Sequence, residues 1–189
     1  MVSQKNALSA WNSLNLNGLV NQRFARNFFP MPATNDMTMG AVVPPFKLLD
    51  VTNDRQVKLS TYQGKCPVVL EFTRIFTENL TCPLCSPHIK ALNDHYEEFV
   101  SRGAALLMIA STDERQSRKV VENFGLAMPL LVDPSCRVFR AYQVGQALGA
   151  PLSAQFILDR RGKLCFKHLF SFLEPNASVD QLLEIVDAL

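Results

Sequence analysis

Cys82 and Cys85 stand three residues apart in the text Thr81-Cys82-Pro83-Leu84-Cys85, where a strand pattern hands over to a helix pattern. A Cys-x-x-Cys pair at such a junction is the sequence form of a redox dithiol. The first turn of a helix offers unpaired backbone N–H groups and the positive end of the dipole. A thiolate set there is stabilised, and its pKa falls from about 8.5 into the range of about 3.5–7.5. Only the thiolate attacks a disulfide or a peroxide, so position becomes reactivity. Two helix starts compete. Thr81 can cap a helix with Pro83 in its first turn, and Ser86-Pro87 offers Ser as N-cap and Pro at the first helical position. With either start, Cys82 is expected to be the more exposed and more dipole-stabilised thiol, and Cys85 its resolving partner.

Two nearby residues could serve the pair. Glu71 is a charge inside otherwise core-like strand text, Pro-Val-Val-Leu-Glu-Phe-Thr at 67–73. If it is buried, its carboxylate can pass a proton to or from Cys85; the alternative is an outward-facing position. His88 completes Cys-x-x-Cys-x-x-His, three zinc-type ligands close together. A structural zinc site needs a fourth ligand and none follows at suitable spacing. His88 therefore reads as an ordinary helix residue, and neither metal nor cofactor is expected. His95 reads as exposed and His168 as a strand residue.

The surrounding pattern must position these groups. Residues 46–51 and 57–59 read as short strands joined by a turn at Asn53-Asp54, and 67–73 as a buried strand. A loop over 74–81 leads into a helix running to about Arg102, closed by Gly103. Residues 104–110 are the most apolar strand. Ser111-Thr112-Asp113-Glu114 is a capping text for a helix that runs to Phe124, before Gly125. Residues 130–132 form another strand, and Asp133-Pro134-Ser135 opens a short helix to about Tyr142. Residues 155–158 and 163–170 flank the hairpin text Asp159-Arg160-Arg161-Gly162. Ser178 caps a last helix. Alternating strands and helices predict an α/β fold with parallel central strands, and the closing hairpin makes the sheet mixed. The dithiol then falls at the C-terminal edge of the parallel strands, where α/β sites lie.

The chain divides near Gly40. Residues 1–39 read as an N-terminal extension, with a short helix ending at Phe29 and aromatics suited to docking on the domain or on a second subunit; residues 40–189 form the domain. Five cysteines cannot all pair within one chain, and Cys66, Cys136 and Cys165 are scattered through apolar text. That is the usage of a reducing compartment. There is no apolar run of about 20 residues to span a membrane, and no apolar block follows Met1–Asn6 as a secretory signal would need. The expectation is a cytoplasmic protein. Arg23 and Arg26, with no acid in the first 35 residues, carry the alternative of a transit peptide. The net charge of +2 argues for no nucleic-acid partner.

Several stretches together resemble the peroxiredoxin group, the alkyl hydroperoxide reductase and thiol-specific antioxidant proteins. They are Ala41–Phe46, Leu59–Lys65, Val68–Phe72, Thr112-Asp113, Leu131–Pro134 and Phe156–Gly162. The resemblance implies a thioredoxin-like fold over residues 40–189. It also implies an antioxidant oxidoreductase in which Cys82 attacks a peroxide and Cys85 resolves the product to a disulfide, with a thioredoxin-type reductant and room for a homodimer. Asn79 stands where that family carries Thr or Ser, and Ser153 where it carries a thiolate-stabilising Arg; Arg74 is the candidate replacement. Cys85 and the Glu71-Phe72 pair resemble thioredoxins instead, which implies the alternative of thiol–disulfide exchange with partner proteins. A non-catalytic redox sensor or docking module is the third reading.

Overall fold

The computed structural model describes residues 21–34 and 36–189; the rest of the expected extension lies outside the described residues. In chain order the elements are α1 (Gln22–Arg26), β1 (Lys47–Asp50), β2 (Arg55–Lys58), a 3-10 turn (Leu59–Thr61), β3 (Val68–Thr73), β4 (Ile75–Thr77), β5 (Leu80–Thr81), α2 (Ser86–Asp94) and α3 (Tyr96–Ser101). There follow β6 (Ala105–Ala110), α4 (Glu114–Phe124), β7 (Leu130–Val132), α5 (Arg137–Ala141), β8 (Gln146–Ala147), β9 (Ala150–Pro151), β10 (Ala154–Leu158), β11 (Leu164–Leu169) and α6 (Val179–Asp187).

The main sheet has seven strands in the order β11-β10-β3-β6-β7-β1-β2. β3, β6 and β7 are parallel, and β1 and β10 join them antiparallel on either side. The sheet is therefore mixed, as the alternating pattern predicts. All six residues of β3 are buried, as expected of a central strand covered on both faces. Its period of two assigns them to two cores. Val69 packs with Ile89 and Leu92 of α2, Phe99 of α3, Val120 of α4 and Leu182 of α6. Val68, Leu70 and Phe72 pack with Val138 and Phe139 of α5 and with Tyr142. Phe72 lies within 5.0–5.5 Å of the rings of Tyr142, Phe139 and Phe156, edge-on or tilted. Glu71, with the parity of Val69, faces the α2–α6 side.

The structure departs from the pattern in several places. The helix expected to reach Arg102 breaks at His95, whose ring and N–H both bond Ala91 O, at 2.8 and 3.1 Å. The N–H contact is the last ladder bond of α2, and the ring nitrogen competes with it for the same carbonyl. His95 is only half-exposed as a result. The loop at 74–81 contains the β4–β5 hairpin, and a second small hairpin, β8–β9, turns at Leu148-Gly149 with both residues at positive φ. The helix after Asp133 starts only at Arg137, because the Asp133 carboxylate accepts from the N–H groups of Arg137 and Val138 and holds the chain in a turn. The arm helix α1 stops at Arg26 rather than Phe29, where Asn27 Nδ2 bonds Arg23 O at 2.7 Å.

The described part of the arm lies on its own domain. Met31 bridges Gln146 in antiparallel fashion. A Cβ on Gly145, at φ +76°, would meet Ala33 N at 2.5 Å and Met31 O at 2.7 Å. Gly145→Ala is expected to destabilise by at least about 1–2 kcal/mol from the left-handed backbone alone. It should also expose Arg23 and Arg26 to trypsin, which limited proteolysis reads directly.

Candidate functional site

The dithiol sits where β5 ends. Cys82 N–H donates to Arg74 O at 3.2 Å, so the residue just past the hairpin is tied to the residue that follows β3. The chain then turns at once: the N–H groups of Cys85 and Ser86 both donate to Cys82 O, at 2.9 and 3.0 Å. The helix proper begins at Ser86, with Cys85 as N-cap and Pro87 second. The later of the two expected starts is thus the true one, shifted by a residue, so that Ser86 is helical rather than capping. Pro87 loses no ladder bond, because a first-turn residue has no intrahelical acceptor.

Cys82 is 7% exposed and Cys85 1%, and both are free thiols. The Cys82 thiol is lowered to about 5. The S–H of Cys85 contributes most, by donating to the Cys82 sulfur; burial opposes it; the N–H groups of Leu84 and Cys85 and the Arg74 guanidinium add to it. The same hydrogen bond, together with burial and the negative charge of Cys82, pushes Cys85 far above the ordinary thiol range. The Ser153 hydroxyl and the Arg74 backbone N–H face the Cys85 sulfur and oppose that rise. The two thiols are therefore distinguished by environment, Cys82 being the more readily ionised.

Arg74 is buried. Its Nη2 donates to Ala147 O in the β8–β9 hairpin, and its guanidinium lies 4.9 Å from the centre of the Phe76 ring. Burial lowers its pKa while the two thiols raise it. Its Nε is a buried donor without a partner among the described residues. Ser153 occupies the place where the resemblance led to an arginine; its single O–H is shared between the Cys85 sulfur and Pro175 O, the latter at 3.1 Å. Asn79 lies in the β4–β5 turn, its N–H on Thr77 Oγ1 at 3.3 Å.

Glu71 is 1% exposed, so the outward-facing alternative falls away. It is not alone. His88 Nε2 lies 3.2 Å from its Oε2, and Gln155 Nε2 donates to its Oε1 at 3.2 Å. The Gln155 amide also donates to Asn176 Oδ1 at 3.1 Å and accepts from Ala177 N–H at 3.0 Å. Asn176 Nδ2 in turn donates to Leu84 O at 3.1 Å. A chain of hydrogen bonds thus runs from the buried acid back into the Cys-x-x-Cys turn. Burial pulls the His88 imidazole down, but the Glu71 charge and hydrogen bond outweigh it and leave the pKa raised.

His88 is therefore not the ordinary helix residue expected from the pattern. A signal was present, since residues three apart on a helix share a face and Cys85 and His88 are so spaced. Gln155 carried the same signal as Glu71, a polar residue inside an apolar strand, and the register puts the two directly opposite. Among the described residues, no group of three His, Cys, Asp or Glu side chains could hold a metal, and no helix is long and apolar enough to cross a membrane.

The chain as a whole is similar to several known proteins. A thioredoxin peroxidase of Echinococcus granulosus is 32% identical over 161 residues, which cover 79% of this chain and 80% of that protein. The thiol-disulfide oxidoreductase ResA of Geobacillus thermodenitrificans is 29% identical over 161 residues, covering 85% and 83%. The crystal structure of peroxidoxin BcpB from Mycobacterium tuberculosis superposes with a TM-score of 0.69 at 25% identity, over 81% of this chain and 98% of that one. The fold is thioredoxin-like. A sequence model of the AhpC/TSA family matches residues 39–167, most of the domain that carries the dithiol. The chain is accordingly a member of the AhpC/TSA family of thiol-dependent oxidoreductases.

Proposed function

We propose that the protein is a thiol peroxidase in which Cys82 is the attacking thiolate and Cys85 the resolving thiol. The observation that carries this is the buried turn around Cys82, in which the Cys85 thiol, two backbone N–H groups and the Arg74 guanidinium all act to lower its pKa. The Cys82 thiolate attacks the distal peroxide oxygen; the O–O bond breaks, sulfur becomes sulfenic acid, and the departing alkoxide takes a proton to leave as alcohol. The unspent Nε donor of Arg74 suits the oxygen on which charge develops. Cys85 sulfur then attacks the Cys82 sulfur, the S–O bond breaks, and water leaves with the Cys85 proton as the disulfide forms. Glu71, paired with His88, takes that Cys85 proton as the sulfur attacks and passes it to the departing hydroxide. A thioredoxin-type dithiol in a reducing compartment such as the cytoplasm returns both thiols by exchange.

The reduced protein mixed with one equivalent of hydrogen peroxide, or of an organic hydroperoxide, should lose two thiols far faster than free cysteine does. Consumption no faster than that of free cysteine sinks the peroxidase reading. One feature favours exchange with protein disulfides as a second activity of the same pair: Leu84, between the cysteines, is 46% exposed beside them. A Cys85→Ser variant is then expected to trap partners as mixed disulfides in cell extract, and an empty trap would remove that reading.

A further inference from the structure

The arm residues 21–34 precede the region matched to the family, yet they end in the catalytic neighbourhood. Arg23 is buried at 8% exposure, an unusual place for an arginine with no carboxylate bonded to it. Its Nη1 donates to Ile75 O at 2.9 Å and to Ser111 Oγ at 2.8 Å, and its Nη2 donates to Phe76 O. Cys136 and Asp113 are the other titrating groups near enough to act on it. Ile75 and Phe76 are the residues directly after Arg74, and Ile75 pairs with Thr81, directly before Cys82. The Phe76 ring carries the Arg74 guanidinium.

The arm also grips the other hairpin that holds Arg74. Leu148 N–H donates to Phe28 O at 3.1 Å and Gly149 N–H to Asn27 O at 3.0 Å. Phe24 packs so closely on Gly149 that a Cβ there would lie 2.0 Å from its ring. Ala147, whose carbonyl accepts from Arg74, is the neighbour of Leu148. Both anchors of Arg74, the Phe76 ring and the Ala147 carbonyl, are thus bolted to one segment.

The geometry points to the arm as a working part of the active site, with Arg23 a positioning residue that fixes Arg74 against Cys82. It rests on the reading of Cys82 as the attacking thiolate. Arg23 touches neither sulfur; it acts by holding the backbone on both sides of the β4–β5 hairpin and the face on which the Arg74 guanidinium rests. Around Cys82 itself stand the Cys85 thiol, the N–H groups of Leu84 and Cys85, and Arg74. Only the last of these depends on the arm.

The test is titration of the Cys82 thiolate in the full chain, by its ultraviolet absorbance and by the pH profile of iodoacetamide alkylation. Arg23→Ala should raise the Cys82 pKa by about one unit, the lower end of what an opposite charge at contact range supplies. In an Arg74→Ala background the same substitution should produce no further shift. Phe24→Ala, which leaves every Arg23 hydrogen bond in place, gives a smaller shift in the same direction and is the reading to use if Arg23→Ala does not fold. An unshifted Cys82 in a folded arm variant overturns the proposal, as does an equal shift with and without Arg74. A wild-type Cys82 with an ordinary thiol pKa would instead refute the thiolate reading itself, so the two failures are distinguishable.

Discussion

Glu71→Ala should cost the protein about 3–5 kcal/mol, the usual penalty for removing one partner of a buried ion pair. Glu71 and His88 are both buried, and the substitution strands His88 and one donor of Gln155 inside the core. Against a total domain stability of about 5–15 kcal/mol, that is a large fraction. The double variant Glu71→Leu/His88→Leu should behave differently, because replacing both charges with apolar groups is often neutral or stabilising. Urea denaturation of the three proteins at pH 7 separates the cases. The pair also has a pH signature. The folded His88 pKa is raised above its unfolded value of about 6.5. Its contribution is therefore complete below about pH 6.5 and is lost as pH rises through the folded value. The wild-type urea midpoint, measured relative to the double-leucine variant, should fall across that window. A midpoint difference that is flat with pH, or that grows with pH, would refute the protonated pairing.

How much of this was legible in the sequence varies with the physics involved. The central strands were plain because burial on both faces leaves a nearly continuous apolar run, and the helix ends at Gly103 and Gly125 because each sits at positive φ. The dithiol, its asymmetry and the candidate role of Glu71 follow from residue type and spacing, whereas that of Arg74 came only from the resemblance to the peroxiredoxin group. The β4–β5 hairpin did not stand out, since its strands are too short to display a period. The text Ile-Phe-Thr, Glu-Asn, Leu-Thr does have β-formers around a two-residue turn. His88 and Gln155 escaped because their importance depends on contacts 17 and 84 residues away in sequence. Arg23 was least visible of all. Nothing local marks an arginine in an aromatic arm as the residue that will be buried against the carbonyl of Ile75, 52 positions on.

Removing the groups around Cys82 one at a time should raise its pKa in a definite order, and with it the pH at which the protein becomes reactive. Cys85→Ala should have the largest effect, because the Cys85 S–H is the strongest of the stabilising contacts. Arg74→Ala should follow, at about 1–3 units for loss of an adjacent opposite charge. Arg74→Lys should recover part of this as a point charge, without the planar contact on Phe76. With Cys82 lowered to about 5, the wild-type thiol is almost wholly ionised at neutral pH, so its alkylation rate should be flat above pH 6 and fall below pH 5. Each variant should move that fall to higher pH. The plateau should not rise in proportion, because intrinsic nucleophilicity follows thiol basicity with a Brønsted coefficient of only about 0.4–0.5. The peroxide reaction adds a second demand, a donor for the leaving oxygen. If Arg74 supplies it, Arg74→Ala loses more rate toward peroxide than toward iodoacetamide at a pH where Cys82 is fully ionised. Equal losses toward both reagents would confine Arg74 to stabilising the thiolate, and the transition-state donor would have to be sought elsewhere in the turn.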